Sequence, residues 1–239
     1  KEERYFYVPD AASTNELPAE EATHALRVLR LQNGDDMYLM DGRGNFYHAE
    51  VSLATHKKCL YTIKENLPQQ KTWRGHIHLA IAPTKNIDRM EWLAEKATEI
   101  GFDELSFLHC AFSERKVLRA DRIEKIVVSA VKQSRKPWMP QVNALESFKD
   151  FITRPREGRK FIAHCYEEIE KKDFFNEIMD GKKNEKITVL VGPEGDFSID
   201  EVRLAMAQGY ESISLGESRL RTETAGLMAV TMAQISLRL

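Results

Sequence analysis

Two short segments of this 239-residue chain hold residue types that could do chemistry. The first, VLVGPEGDFSIDE from Val189 to Glu201, places Glu194, Asp196, Asp200 and Glu201 on a turn between an apolar run and a helix start. The second, LGESRLRTETAGLMAV from Leu215 to Val230, adds Glu217, Arg219, Arg221 and Glu223 after another apolar run, SISL. Loops that join a strand to a helix often hold a phosphate through free backbone N–H groups and a Lys or Arg. Here carboxylates crowd the first loop, and Ser198 and Glu201 are spaced as a capping box that occupies the amides. Neither G-x-x-x-x-G-K-[ST] nor G-x-G-x-x-G occurs. A purely structural account also covers these residues. Phe197 and Val202 suit a hydrophobic staple, Asp200 and Glu201 complement the helix dipole, and Pro193 and Gly195 suit the second and fourth positions of a type I turn.

The functional account rests on charge. A guest with an adenine, an amino-acid end and a positive centre is compatible with such a loop; S-adenosylmethionine has these, with a sulfonium and no phosphate. The elements around the loop place it where ligands bind. HIHLAIAP, ELSFLHC, KFIAHCY, ITVLVG and SISLG read as strands, and helical segments such as DRMEWLAEKATEIG and DRIEKIVVSAVKQSRK alternate with them. The first helix is expected to stop at Gly101 and the second at Pro137. Such alternation predicts a parallel sheet with helices on both faces, whose ligands lie beyond the carboxyl ends of the strands. Before it, Tyr5 to Val8, MYLMDGRGNFYHAEV and KCLYTIKENL read as short strands around one helix, AEEATHALRVLRL, which turns Arg27 and Arg30 to solvent. This predicts a small β-barrel-like domain over 1–70, a linker at PQQKTWRG and a larger α/β domain over 71–239.

Lys and Arg number 35 and Asp and Glu 37, so the net charge of −2 announces no polyanion partner. Hydrophobic residues make up 42% and charged residues 30%, which fits a folded soluble chain. No apolar run approaches a membrane span and KEERYFYV has no apolar signal core, so a cytoplasmic location is expected. Cys59, Cys110 and Cys165 offer neither a disulfide framework nor a zinc pattern, and His76 and His78 lack a third ligand; no metal is expected. Locally the charge is uneven. From Ser113 to Lys136 eight basic residues, among them Arg115, Arg119, Arg122 and Arg135, face three acidic ones. Arg115, Arg119 and Arg122 fall at helical neighbour spacing and could form one stripe. With Arg27 and Arg30 they make RNA phosphate contact plausible beside the simpler reading of a solvated face. Trp138 could stack on a base or simply pack.

The pair GPEGDFS and SLGESRLRTETAG resembles the C-terminal motifs of the SPOUT methyltransferases, and more narrowly the ribosomal RNA small subunit methyltransferase E family. KNIDRMEWLAEKATEIG, the SERK at Ser113 to Lys116, KQSRKPWMPQV and HALRVLRLQNGD resemble that family too. Asp196 stands where the family often has a second glycine. The resemblance implies an α/β fold with a deep trefoil knot, preceded by a PUA-like RNA-binding domain. It implies S-adenosylmethionine as cofactor, a homodimer with sites at the subunit interface, and N3-methyluridine in the decoding region of 16S ribosomal RNA as product. It places Leu190, Gly192, Pro193, Gly195, Leu215, Gly216, Leu220 and Thr222 at the cofactor, with ordinary core packing as the other account of the three leucines and both roles expected of Leu190, and adds Arg89 to the RNA contacts.

Uracil N3 is a weak nucleophile while protonated, so the site must remove that proton or stabilise the anion. Arg221 could put positive charge beside the uracil oxygens, or only staple the loop by pairing with Glu217 or Glu223. Glu194 or Glu223 could accept the proton. The small residues Ala225, Gly226, Ala229 and Ala233 permit close packing of the last helix, within the chain or between subunits. Two other functions fit the same residues: methylation of a ribose 2′-oxygen, and a non-catalytic dimeric RNA-binding protein.

Overall fold

The computed structural model describes residues 2–181 and 185–239. They divide into two compact units, Lys1–Lys71 with Val131–Met139, and Thr72–Ala130 with Pro140–Leu239.

In the first unit β1 (Tyr5–Tyr7), β2 (Asp36–Met40), β3 (Asn45–Ala54) and β4 (Cys59–Pro68) form one sheet in that order. β1 and β2 run parallel; the other pairs are antiparallel. Phe6, Met37, Leu39, Ala49 and Tyr61 from its buried face pack with Ala22 and Ala25. These last two come from α1 (Ala19–Thr23) and the π-helical turn that continues it over His24–Val28. The sequence pattern predicts one regular helix here; the chain instead widens to a π turn and ends with Arg30 at φ +53°. The boundary drawn near residue 70 gives Val131–Met139 to the larger domain, but these residues pack in the first unit. Lys132 pairs with buried Glu21 at 2.8 Å, Arg135 lies 4.6 Å above the Tyr5 ring, and Trp138 sits where a Cβ on Gly44 would be.

The second unit is a seven-stranded sheet. Its strands are β5 (His76–Ile81), β6 (Glu104–His109), β7 (Gln141–Ser147), β8 (Arg159–Ala163), β9 (Lys172–Asp173), β10 (Lys186–Val191) and β11 (Glu211–Ser214). The order is β7-β6-β5-β10-β8-β11-β9, and every pairing is parallel. The central strands are apolar on both faces, as a sheet covered on both sides requires. β7 was not among the expected strands: QVNALES mixes polar residues at an edge, where only one side needs pairing. α7 (Thr222–Arg238) packs against β5, and α2 (Ile87–Ile100) packs on α7. α4 (Phe148–Thr153) and α6 (Ile199–Ala207) share the opposite core with Ala80, Leu108, Ile162, Leu190 and Phe197. α2 is capped by the Asn86 side chain and ends at Gly101, φ +116°. α3 (Ala120–Ser134) ends before Pro137, as expected, and α5 (Phe174–Met179) follows β9. On α7, Gly226, Ala229 and Ala233 are buried, and a Cβ on Gly226 would lie 2.9 Å from Ile81 Cδ1. The small face therefore serves packing within the chain.

Candidate active site

β10 delivers Gly192 to Asp196 beyond its carboxyl end, next to the ends of β5 and β8. The turn lies one residue later than the type I turn expected at Gly192–Gly195: the Asp196 N–H donates to the Pro193 carbonyl at 2.9 Å. Asp196 takes φ +66°. That left-handed conformation explains why glycine suits the position and why aspartate, which tolerates it better than most residues, can replace it. The capping box forms: Ser198 Oγ accepts from Glu201 N–H at 3.1 Å, and Glu201 Oε1 accepts from Ser198 N–H at 2.8 Å. Phe197 and Val202 are both fully buried in the core beneath α6.

The loop's acidity has a geometric cause. Each of three carboxylates accepts a backbone N–H from the loop after a different strand. Glu194 Oε1 takes Lys85 N–H at 2.7 Å, after β5. Glu201 Oε2 takes Ala111 N–H at 3.0 Å, after β6. Asp196 Oδ2 takes Cys165 N–H at 2.9 Å, after β8. The parallel register ends these strands at one level and leaves their loop amides without sheet partners; the carboxylates satisfy them. Meanwhile the amides of Asp196, Phe197 and Ser198 are consumed inside the loop. An anion would find few donors here, which is the selectivity the sequence suggested.

The second motif closes the site. Leu215 to Arg221 connects β11 to α7, and Thr222, the first residue of α7, donates its hydroxyl to the Gly192 carbonyl at 3.0 Å. That bond ties the two motifs across 30 residues of chain. Between them lies a cavity of about 950 Å³, bordered by Val191 to Asp196, Ile213 to Glu223, and Ala163 to Cys165. Gly192, Pro193, Glu194, Gly195, Leu215, Gly216, Leu220, Arg221, Thr222, Glu223 and Arg89 all border it. Leu190 does not: its side chain is sealed in the α4–α6 core, and its neighbour Val191 faces the cavity, as strand alternation requires. A Cβ on Gly192 would lie 2.9 Å from Phe197 N, so the loop closes on a bare backbone; Gly216, at φ +130°, has nothing within 4 Å of its Cβ position.

Arg221 is exposed at the cavity and, among the described residues, pairs with neither Glu217 nor Glu223. Glu223 instead faces Arg89 Nε at 3.7 Å, is only 8% exposed, and leaves Oε2 without a hydrogen bond. A buried carboxylate so weakly partnered and an uncommitted guanidinium thus border one cavity, the two group types that general-base and charge-stabilising chemistry draws on. Arg219, His164, Cys165 and Lys171 also border the cavity, and the sequence reading placed none of them at the cofactor or the RNA. The signal was present: KFIAHCY reads as a strand, and His164 and Cys165 stand just past its carboxyl end. His164 is structural. Its Nδ1 accepts from Tyr166 N–H at 3.1 Å, so Nε2 carries the proton and donates to Ser212 Oγ at 2.6 Å, while burial lowers its pKa. Lys171 is spent on the Tyr166 and Ile169 carbonyls.

The expected basic stripe is not one helix face. α3 begins at Ala120, so Arg115 and Arg119 precede it in a loop. Arg115 donates to the Thr84 and Lys85 carbonyls at 2.9 and 2.6 Å, joining the loops after β5 and β6. Arg119 pairs with Asp121 and Arg122 with Glu91. In the first unit Arg135 is held by Glu3 and Tyr5, while Arg27 and Arg30 border an open groove of about 780 Å³ with His56. Trp138 is half-buried against Gly44. His78 is buried, 2.7 Å from Ser106 Oγ, and among the described residues no cluster of His, Cys, Asp and Glu is arranged to hold a metal.

Residues 71–234 match the model of the RNA methyltransferase domain, and residues 17–64 match the RNA methyltransferase PUA domain. A solved chain from Porphyromonas gingivalis, described as a "probable rRNA-methyltransferase", is 40% identical, with a TM-score of 0.88 and 98% of each chain covered. A ribosomal RNA small subunit methyltransferase E from Neisseria gonorrhoeae, solved with S-adenosyl methionine, is 27% identical, with a TM-score of 0.82 over 98% of each chain. A ribosomal RNA small subunit methyltransferase E of Bacillus subtilis is 26% identical over 93% of this chain and 90% of its own. With a mixed α/β fold, a parallel sheet and both motifs at one cavity, the chain belongs to the RNA methyltransferase family, in its ribosomal RNA small subunit methyltransferase E branch.

Proposed function

We propose that this chain uses S-adenosylmethionine to methylate N3 of a uridine in the decoding region of 16S ribosomal RNA. One observation carries the reading: a loop that spends its Asp196, Phe197 and Ser198 amides on itself and an uncommitted Arg221 border the same cavity. Val191, Ile213, Leu215 and Leu220 give that cavity an apolar wall suited to an adenosine, and Glu194 and Asp196 give it negative charge on the side of the first motif. These residues fit a phosphate-free cationic nucleoside. When bound, the cofactor supplies an electrophilic methyl group. Gly192, Pro193, Gly195, Gly216 and Thr222 shape its seat. Arg221 sets positive charge beside the uracil oxygens and so makes N3–H more acidic. Glu223, backed by Arg89, is the better-placed proton acceptor, because Glu194 already holds the Lys85 amide. N3 is on the pairing edge, so the target base enters unpaired.

The first unit supplies further RNA contacts through Arg27 and Arg30. α7 leaves Thr224, Leu227, Met228, Thr231 and Ile235 half-exposed at helical spacing, and Trp92 of α2 is 41% exposed, which suits a second copy of the chain. The homodimer, the trefoil knot and a cytoplasmic location belong to the same reading; among the described residues no helix is long and apolar enough to cross a membrane.

The test uses small ribosomal subunits that lack base methylation, labelled S-adenosylmethionine, and mass spectrometry of the labelled nucleoside. N3-methyluridine is expected. Arg221→Ala is expected to lower kcat by about a hundredfold, the usual loss when one charge-stabilising donor is removed, with cofactor affinity little changed. A ribose-methylated nucleoside would replace the base assignment, and no label from the wild type would leave an RNA-binding protein.

A further inference from the structure

Phe112 is 52% exposed, yet the turn that carries it is held by hydrogen bonds on both sides. Past β6, Cys110 N–H donates to Ser113 Oγ at 3.0 Å and Ser113 N–H returns to the Cys110 carbonyl at 3.1 Å. Ala111 N–H is held by Glu201, and Arg115 anchors the far side of the turn on the Thr84 and Lys85 carbonyls. Ser113 is buried, so the turn cannot roll Phe112 inward without uncovering it. The ring therefore stays out, against the first motif. A Cβ on Gly195 would lie 3.2 Å from Phe112 Cβ and 3.9 Å from Cγ, and Gly195 borders the cavity. Lys116 is exposed on the same joined loops, as is Lys85, whose Nζ lies 3.3 Å from Glu114 Oε2.

A rigid, half-exposed aromatic ring at the rim of a cavity, with cations beside it, is how proteins hold single-stranded nucleic acid: bases stack on the ring and phosphates meet the cations. A ring merely filling space would be covered, as Phe107, Phe197 and Phe148 are in the same unit. We infer that Phe112 is a stacking platform for a nucleobase of the RNA substrate, either the target base or its neighbour, and so a positioning residue for the reaction. This rests on the RNA methyltransferase reading above. It assigns Phe112 to the RNA and not to the cofactor, whose proposed seat lies on the other side of Gly195.

The experiment measures two affinities of the full-length protein separately: S-adenosylmethionine by calorimetry, and a fluorescein-labelled single-stranded uridine-containing RNA by anisotropy with the cofactor present. Phe112→Ala is expected to leave cofactor affinity unchanged and weaken RNA binding about tenfold, within the range that loss of one base stack produces. Phe112→Tyr and Phe112→Trp should restore it; Phe112→Leu, apolar but without a flat ring, should not. With methylation-deficient subunits Phe112→Ala and Phe112→Leu should raise KM more than they lower kcat, while Phe112→Tyr and Phe112→Trp should stay close to wild type. RNA binding by Phe112→Ala within twofold of wild type, or full rescue by Phe112→Leu, overturns the inference. So does a change in oligomeric state on light scattering, which would make Phe112 a subunit contact. The binding readout needs no turnover, so failure of the proposed methylation is seen separately from failure of the stacking role.

Discussion

Thr222→Val isolates the bond that joins the two motifs. Thr222 is 6% exposed, and its hydroxyl donates to the Gly192 carbonyl at 3.0 Å. Valine has nearly the same volume and branching, so the substitution opens no cavity and leaves the buried Gly192 carbonyl without this donor. A buried acceptor stripped of its donor costs about 1–3 kcal/mol. Part of that loss should reach the ligand, because the bond sets the spacing between Gly192 and Arg221 on opposite walls. If about 1.4 kcal/mol of it falls on cofactor affinity, the dissociation constant rises about tenfold. The assays are urea denaturation of the ligand-free protein and calorimetric titration with S-adenosylmethionine. Thr222→Ser keeps the hydroxyl and loses one buried methyl, about 1 kcal/mol of burial, so it should lose stability yet retain affinity. A Val variant as stable and as tight-binding as wild type would show that the hydroxyl holds nothing and would refute the coupling of the two motifs.

Gly192→Ala should weaken cofactor binding at least tenfold and cost about 1–3 kcal/mol of stability by denaturation, since the new Cβ meets Phe197 N at 2.9 Å and backbone must move. Gly216→Ala, where the Cβ meets nothing but φ is +130°, should cost about 1 kcal/mol through backbone strain alone. Stability should also fall with acid in two steps. Burial lowers the His78 pKa to about 4, against Glu104, so the unfolded chain protonates this residue first and stability is lost from about pH 6.5 down to pH 4. That loss is about 3 kcal/mol at most by linkage. The hydrogen bond from His76 lowers Glu104 to about 2, so its contribution, present above about pH 4.5, is lost as the pH falls toward 2. Denaturation midpoints of wild type and His78→Gln between pH 7 and 4 check the first step: the variant should show a shallower slope, and equal slopes would remove His78 from the account.

Local pattern alone carried much of this protein. Strands such as ITVLVG are apolar enough to lie buried on both faces, Ser198 is a good cap, and Gly101 is a natural helix end, because each of these depends on neighbours within a few residues. The two motifs were legible as ligand loops for the same reason, and the composition of the first is what turned the reading from phosphate to a cationic guest. What the carboxylates hold was not legible. Glu194, Glu201 and Asp196 each reach an amide 31 to 109 residues away in sequence, and no spacing along the chain encodes which strand will lie alongside. The same limit hid the partner of Glu223, because Arg89 and Glu223 meet only when α2 packs on α7. It also put Leu190 in the ligand set when strand alternation, fixed by the sheet's two covered faces, turns Val191 to the cavity instead. And it read Arg115 as a surface charge, since a guanidinium that spans two loop carbonyls looks in sequence like any other arginine. Residue types fixed what the site could bind; the order of strands in the parallel sheet decided which residues surround it.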